Sequence, residues 1–554
     1  MVAEVFSAMI QGIEGQIVKI QVDISNGLPN FNMIGYLSNE VKESKERVRT
    51  ALNNIGVLLP PKRISVNFAP ADFRKCGTSF DIGVAAAILL AMDFVPETYI
   101  KDTLFVGELS LNGQICPISG VLPIVVAASK RGIKRCIVAQ ENVAEAAFVE
   151  QMEVIGCRNL EELFFYLKHG YIINDDSGEI LENSGNISED SGKECTIQDV
   201  KKSQEISEST RSLNLKSTVL VKDILENADE DKISVTDFSE VKGQVMAKRA
   251  MEIAAAGYHN LMLGGPPGVG KSMLASCISG IMPQMTTEEM IDTTIIYSAK
   301  GLLKDSFSLI TKRPFRNPSL AVTQAGMFGG GMTPQPGEIS LAHHGILFLD
   351  EFPEYKREII EMLRVPLEKH EISIVRKEQT LTFPADFLLS VCANSCPCGY
   401  YPMDKCRCTY RQIVKYQNRI SGPILDRIDL FVRCEEIGYE VLTSNSKEES
   451  SADIRKRVSK AWEIQKERFA QSTTLFNGRM NKNEVEIYCK LDEEGQQLMK
   501  EAFSVFQLTG RSYFKILKVA RTIADLEGSY DIKSRHVEEA LYFRQKGEGR
   551  VKVR

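Results

Sequence analysis

The feature that most constrains this 554-residue chain is the run NLMLGGPPGVGKSMLAS, which begins at Asn260. Its apolar start, Leu261 to Leu263, predicts a short strand, and a helix is predicted to begin near Lys271. Between them Gly265, Pro266, Pro267, Gly268, Val269, Gly270, Lys271 and Ser272 fit the pattern G-x-x-x-x-G-K-[ST]. Glycines let successive backbone amides curl round an anion, and the helix that follows turns the positive end of its dipole to the same point. Lys271 is then placed to reach the β- and γ-phosphates of a nucleotide, and Ser272 to hold Mg²⁺. A second apolar run, Gly345 to Leu349, ends in Asp350 and Glu351, as a buried parallel strand does. Asp350 suits the Mg²⁺ shell and Glu351 the polarisation of an attacking water. A third such strand, Phe387 to Cys392, leads to Asn394, whose amide can orient that water. Together these predict an α/β fold that binds ATP and Mg²⁺ and hydrolyses the nucleotide.

Composition narrows the setting. With 43% hydrophobic and 25% charged residues, the chain has the balance of an ordinary globular protein. Its longest apolar run, Ile82 to Met92, is bracketed by Asp81 and Asp93 and falls short of the roughly 20 residues that cross a bilayer. The N-terminus, MVAEVF, has no basic stretch followed by an apolar core, so no secretory signal is expected. The expected location is the cytoplasm, with no membrane partner.

Net charge is −6, which on its face argues against a polyanionic partner. The excess is local, however. Between Asn174 and Lys232 there are 15 acids and 7 bases, leaving 58 acids and 60 bases elsewhere. That segment is rich in Ser, Asn, Gly, Asp and Glu and cannot bury enough apolar surface to offset the entropy of ordering. It reads as a flexible linker with a short helix at Thr218–Glu226; a phosphorylated regulatory tail is the alternative.

Of the 13 cysteines, nine lie apart (Cys76, Cys116, Cys136, Cys157, Cys195, Cys277, Cys392, Cys434 and Cys489) and read as buried or incidental thiols. The other four form two tight pairs, Cys396 with Cys398 and Cys406 with Cys408. Four thiolates so spaced suit a tetrahedral structural Zn²⁺; four unmetallated thiols are the alternative. Further along, EISIVRKEQTLTF, from Glu371 to Phe383, alternates about a charged centre and predicts a β-hairpin with Arg376 and Lys377 near its tip. Basic residues there can meet phosphates, or simply face water. Beyond it, Ala452 to Phe469 and Phe514 to Leu526 carry apolar residues at helical spacing.

Several phrases extend this reading: DFSEVKGQVMAKRAMEIAAAGYHN, RPFRNPS, GGGMTPQPGEISLAHHGILFLDE, CPCGYY, RISGPILDRIDL and GRSYFKILKVARTIADLEG. In them the chain resembles the YifB/ComM family of magnesium-chelatase-like AAA+ ATPases. The resemblance implies an αβα P-loop core over residues 233–436 and a C-terminal helical lid over 437–554. It implies that Asn394 is the sensor at the γ-phosphate, and that Arg427 is an arginine finger reaching a neighbouring subunit's ATP. By the same resemblance Arg511 is the lid's sensor arginine, and Val241 and Gln244 flank the adenine. An ion pair of Arg427 with Asp426 or Asp429 is the alternative for that residue. The hairpin faces the pore in related rings, and Phe328 to Ile339 stands where the family carries an insert.

Residues 1–170 resemble the proteolytic domain of Lon, an α/β domain of the ribosomal S5-like type, with 171–232 as the linker. KCGTSFDIGVAAAIL matches its serine region and GELSLNGQICPISGVLPIVVAASKRGIK its lysine region. Ser79 then occupies the nucleophile position, but Leu122 stands at that of the base lysine, and Lys130 lies further along the next helix. Without an amine to take the hydroxyl proton the dyad cannot act. The YifB/ComM resemblance implies a homo-hexameric motor on single-stranded or branched DNA, acting as a branch-migration helicase in recombination or transformation. The alternatives are a chelatase-type ATPase that remodels a protein partner and an inactive Lon-like unfoldase.

Overall fold

The computed structural model describes residues 2–149, 151–170, 172–174, 179–181, 236–303, 309–331, 334–376, 379–443 and 448–545. The helix expected at Thr218–Glu226, most of the acidic linker, and Lys377 lie outside the described residues. Two compact units emerge, one within Met1–Asp229 and Thr294–Leu309, the other within Glu230–Thr293 and Ile310–Arg554.

The first unit is built on a seven-stranded sheet. Ala3–Gln11 and Glu14–Ser25 form its central antiparallel hairpin, closed at Gln11 opposite Glu14 by a turn in which Gly12 takes φ +67°. Thr103–Val106, Arg135–Ala139 and Glu153–Cys157 extend one side in parallel. Arg63–Ala69 and Asn30–Ile34 extend the other. The apolar run that is too short for a membrane becomes the helix Asp81–Ala91, apolar on every side and buried along nearly its whole length. Its first residue, Asp81, is buried too. Burial pushes that carboxyl up, against two bonds from Arg47 at 2.7 and 3.1 Å and one from the Leu109 amide at 3.1 Å.

Ser79 stands just before this helix, buried, with its hydroxyl donating to the Ala8 carbonyl at 2.7 Å. Leu122 is buried in the helix Val121–Lys130, and Lys130 is exposed at its far end. In the same unit the Leu122 amide donates to Glu145 at 2.9 Å, and the Ser298 hydroxyl donates to that carboxylate as well.

The second unit holds a five-stranded parallel sheet. Its strands in chain order are Leu261–Gly264, Phe315–Arg316, Ile346–Leu349, Leu388–Ala393 and Leu430–Arg433, and their spatial order is 5-1-4-3-2. The first strand therefore lies between the last two, in register with Leu261 opposite Ser390 and Leu430. Helices Val245–Gly257 and Lys271–Ile281 pack their apolar residues into this core. So do the lid helices Ser451–Arg468, Glu493–Val505, Gly510–Leu526 and Ser534–Gln545. This is the AAA+ core with a helical lid. No helix among the described residues is long and apolar enough to cross a membrane.

One buried group makes this core sensitive to acid. His259, just before the first strand, is fully buried and bonded through Nε2 to the Thr522 hydroxyl at 2.8 Å. Burial pulls its imidazole down to about 4. Above about pH 6.5 the ring is neutral in folded and unfolded chains alike. Below that the unfolded chain gains a proton first, so stability falls as pH falls toward 4, by up to about 3 kcal/mol. Urea midpoints between pH 7 and 4.5 should follow this slope, and His259→Asn, which removes the titration, should flatten it. Equal slopes in both proteins would show that the ring does not fold in as a buried neutral group.

Candidate active site

In an open parallel sheet, ligands collect beyond the carboxyl ends of the strands, where the strand order changes direction. Three of the strands deliver functional residues there. After Leu261–Gly264 the chain needs glycine. Gly265 has φ +150°, and a Cβ on it would lie 2.7 Å from the Cys434 carbonyl oxygen. Gly268 and Gly270 have φ +81° and +82°, with open space where a side chain would stand. The helix starts at Lys271, capped by Gly270.

The Lys271 ammonium donates to the carbonyls of Gly265 at 2.9 Å and Pro266 at 2.8 Å, and to Asn394 Oδ1 at 3.0 Å. Burial lowers its pKa, and an entering phosphate would favour the charged form again. The Ser272 hydroxyl donates to Asp350 Oδ2 at 2.5 Å. These are one hydroxyl and one carboxylate, the hard oxygen ligands that Mg²⁺ takes together with waters and phosphates. Both sit at one point of a cleft that also holds Pro267, Gly268, Glu351 and Asn394. Glu351 is exposed to that cleft and takes a left-handed backbone, φ +48°, with its amide donating to Asp350 Oδ1 at 2.8 Å. A non-glycine residue held this way costs on the order of 1–2 kcal/mol, a strain that clusters at functional sites. The residues named from sequence for phosphate, Mg²⁺, water and γ-phosphate sensing thus meet in one place.

Val241 and Gln244 lie on the loop before Val245–Gly257. Val241 is buried, with its carbonyl taking a bond from Lys248 at 2.6 Å. Gln244, at φ +55°, donates to the Glu435 carbonyl at 2.7 Å.

Arg427 and Arg511 belong to a second cluster. Arg427 bonds the Pro423 carbonyl at 2.7 Å and Glu368 at 2.5 Å, and Arg511 approaches the same Glu368 at 3.8 Å. The Arg427 guanidinium holds the Glu368 carboxyl below its usual range. Among the described residues, the buried Arg427 Nε has no hydrogen-bond partner. Among the described residues neither arginine bonds Lys271, Ser272, Asp350, Glu351 or Asn394. The sequence alternatives for Arg427 were its neighbours Asp426 and Asp429, yet its carboxylate partner is Glu368. Asp429 is taken instead by Lys515 at 2.6 Å and by the Asn260 amide at 2.9 Å.

Sequence reasoning missed Glu368 and Asn260. The side chain of Asn260 joins the Arg427 carbonyl, at 2.9 Å, to the Leu389 amide, at 3.0 Å, and so ties the arginine's loop to two central strands. Asn260 closes the phrase GYHN, the one sequence signal that could have drawn attention to it.

The hairpin forms as expected, Glu371–Arg376 against Gln379–Pro384. Arg376 ends its first strand opposite Gln379, and the turn with Lys377 lies outside the described residues. The four clustered cysteines come together, their sulfurs all within 4.8 Å of one another.

The family described as magnesium chelatase, subunit ChlI, matches residues 237–442. Two further descriptions, subunit ChlI of Mg-chelatase and its C-terminal part, match 20–142 and 448–544. Competence protein ComM of Haemophilus influenzae is 37% identical over 545 residues, covering 98% of this chain and 97% of its own. The chain belongs to the YifB/ComM family. YifB of Escherichia coli is 35% identical over 537 residues, 96% of this chain and 95% of YifB. Lon protease 2 of Bacillus subtilis is 30% identical over 169 residues, 27% of this chain and 30% of the protease. The YifB/ComM chain is therefore a magnesium-chelatase-like AAA+ ATPase with a Lon-like N-terminal domain, and ATP with Mg²⁺ are the cofactors its family suggests.

Proposed function

We propose that this YifB/ComM chain is an ATP-driven DNA motor that works as a homo-hexamer, in the manner of a branch-migration helicase. The observation that carries the ATPase step is the meeting of Lys271, Ser272, Asp350, Glu351 and Asn394 in one cleft. Phosphate clamp, metal ligands and water-orienting groups stand within one nucleotide's reach, and phosphoryl transfer needs little besides such positioning.

The ring is supported by Arg427 and Arg511. The two gather on Glu368 and bond none of the cleft's groups, an arrangement suited to serving a neighbour's nucleotide. DNA as the track is supported by near full-length similarity to a competence protein and by a hairpin whose sequence places Arg376 and Lys377 at the tip. In this reading residues 1–170 form a Lon-like domain that binds or assembles, 171–232 a linker, 233–436 the ATPase core and 437–554 a lid. Leu122 in place of a lysine leaves Ser79 without a base, so no peptide cleavage belongs to this reading. One structural zinc per chain on the cysteine loop does.

ATPase rates with no DNA and with single-stranded, duplex and four-way branched DNA test the motor. Branched or single-stranded DNA should raise turnover several-fold, and the stimulation should fall with salt as phosphate contacts are screened. Turnover indifferent to every DNA would reject the DNA motor and favour a chelatase-type remodeller of a protein partner.

A further inference from the structure

We infer that the cysteine loop is a zinc clamp that braces the phosphate-binding loop, so that loss of the metal costs the chain its nucleotide. The inference rests on the zinc reading and goes beyond it. Cys396 Sγ lies 3.4 Å from Cys398 and 3.7 Å from Cys406, and Cys398 lies 3.6 Å from Cys406. A tetrahedron with metal–sulfur bonds of about 2.3 Å has edges of about 3.8 Å, so three thiolates already stand close to its corners. The distances exclude a disulfide, which needs about 2.05 Å. The Tyr401 amide points at Cys396 Sγ at 3.4 Å, the kind of outer hydrogen bond that steadies a ligating sulfur.

Besides its own turns and an exposed ion pair from Lys405 to Glu436, the loop has no regular structure to hold it. From Cys396 to Cys408 there is neither helix nor strand, and only Cys396 and Gly399 are buried. Apolar burial cannot fix such a segment, whereas a metal can. Both buried residues lead to the active site. Cys396 follows Asn394 by two residues, and Asn394 holds the Lys271 ammonium. Gly399, at φ +86°, lies so close to the phosphate-binding loop that a Cβ would come within 2.5 Å of Pro267 Cδ. A clamp on the four sulfurs therefore presses the loop onto Pro267 and sets the position of the amide that steadies Lys271.

The test uses the full chain in three forms: as purified, stripped of metal and then reloaded with Zn²⁺, and as Gly399→Ala. Metal content, titratable thiols and affinity for a fluorescent ATP analogue are read on each. The purified chain should carry about one zinc. Stripping should weaken nucleotide affinity about tenfold or more, and Zn²⁺ should restore it. Gly399→Ala should keep its zinc and still bind nucleotide about tenfold more weakly. If the stripped chain aggregates, this variant decides. A stripped or Gly399→Ala chain with native affinity would overturn the brace and leave the zinc reading standing. A purified chain with no zinc and four freely titrating thiols would overturn both. A zinc-loaded native chain that binds no nucleotide would instead reject the ATPase reading.

Discussion

Arg427→Ala should bind ATP close to normally and hydrolyse it about 10³–10⁵-fold more slowly, the usual cost of losing an engaged arginine finger. The developing γ-phosphate charge needs cations, and among the described residues lining the cleft Lys271 is the one basic side chain. Arg427 instead bonds Glu368, and its buried Nε has no partner among the described residues. A buried unpaired donor is costly, so this conformation leaves the guanidinium a reason to move to an incoming anion. If that anion belongs to a neighbour, mixing Arg427→Ala with Lys271→Ala should restore part of the activity. Some interfaces in mixed rings then combine an intact phosphate loop with an intact finger. An arginine acting within its own chain gives no such rescue. Mixed rings that exchange subunits and remain as inactive as either variant alone would refute the shared site.

Glu351→Gln and Lys271→Ala should separate hydrolysis from binding. The Glu351 carboxylate lines the cleft on a strained left-handed backbone and, among the described residues, accepts no hydrogen bond from the phosphate loop. Its amide replacement should therefore bind ATP and Mg²⁺ normally and lose about 10²–10⁴-fold in turnover, the usual worth of a general base. Lys271, in contrast, bridges the loop carbonyls and Asn394. Its loss should abolish tight ATP binding first. Equilibrium binding of a labelled nucleotide and single-turnover hydrolysis distinguish the two. Near-normal single-turnover rates in Glu351→Gln would remove this residue from the chemistry.

Much of the site is legible locally because its causes are local. Glycine takes the positive-φ backbone of Gly268 and Gly270 without the penalty a side chain would bring, so the phosphate loop announces itself. Strands buried on both faces read as apolar runs, unbroken in Ile346–Leu349 and interrupted once, by Ser390, in Leu388–Ala393, and so mark the polar residues that follow them. The close cysteine pairs and the alternation of the hairpin are visible for the same reason.

What no local pattern contains is register and order. Asn394 meets Lys271 because Leu388–Ala393 lies beside Leu261–Gly264 with Ala393 opposite Gly264, more than a hundred residues away in sequence. Packing of the whole sheet against its helices decides that neighbourhood, since hydrogen bonding alone would let any apolar strand pair with any other. The partner of Arg427 shows the same limit. Sequence offers the adjacent Asp426 and Asp429, but Asp429 is drawn away by Lys515 from the lid, and the arginine turns to Glu368, 59 positions earlier. The chemistry of this protein is written in short runs of residues; which of those runs face one another is set by the burial of its core.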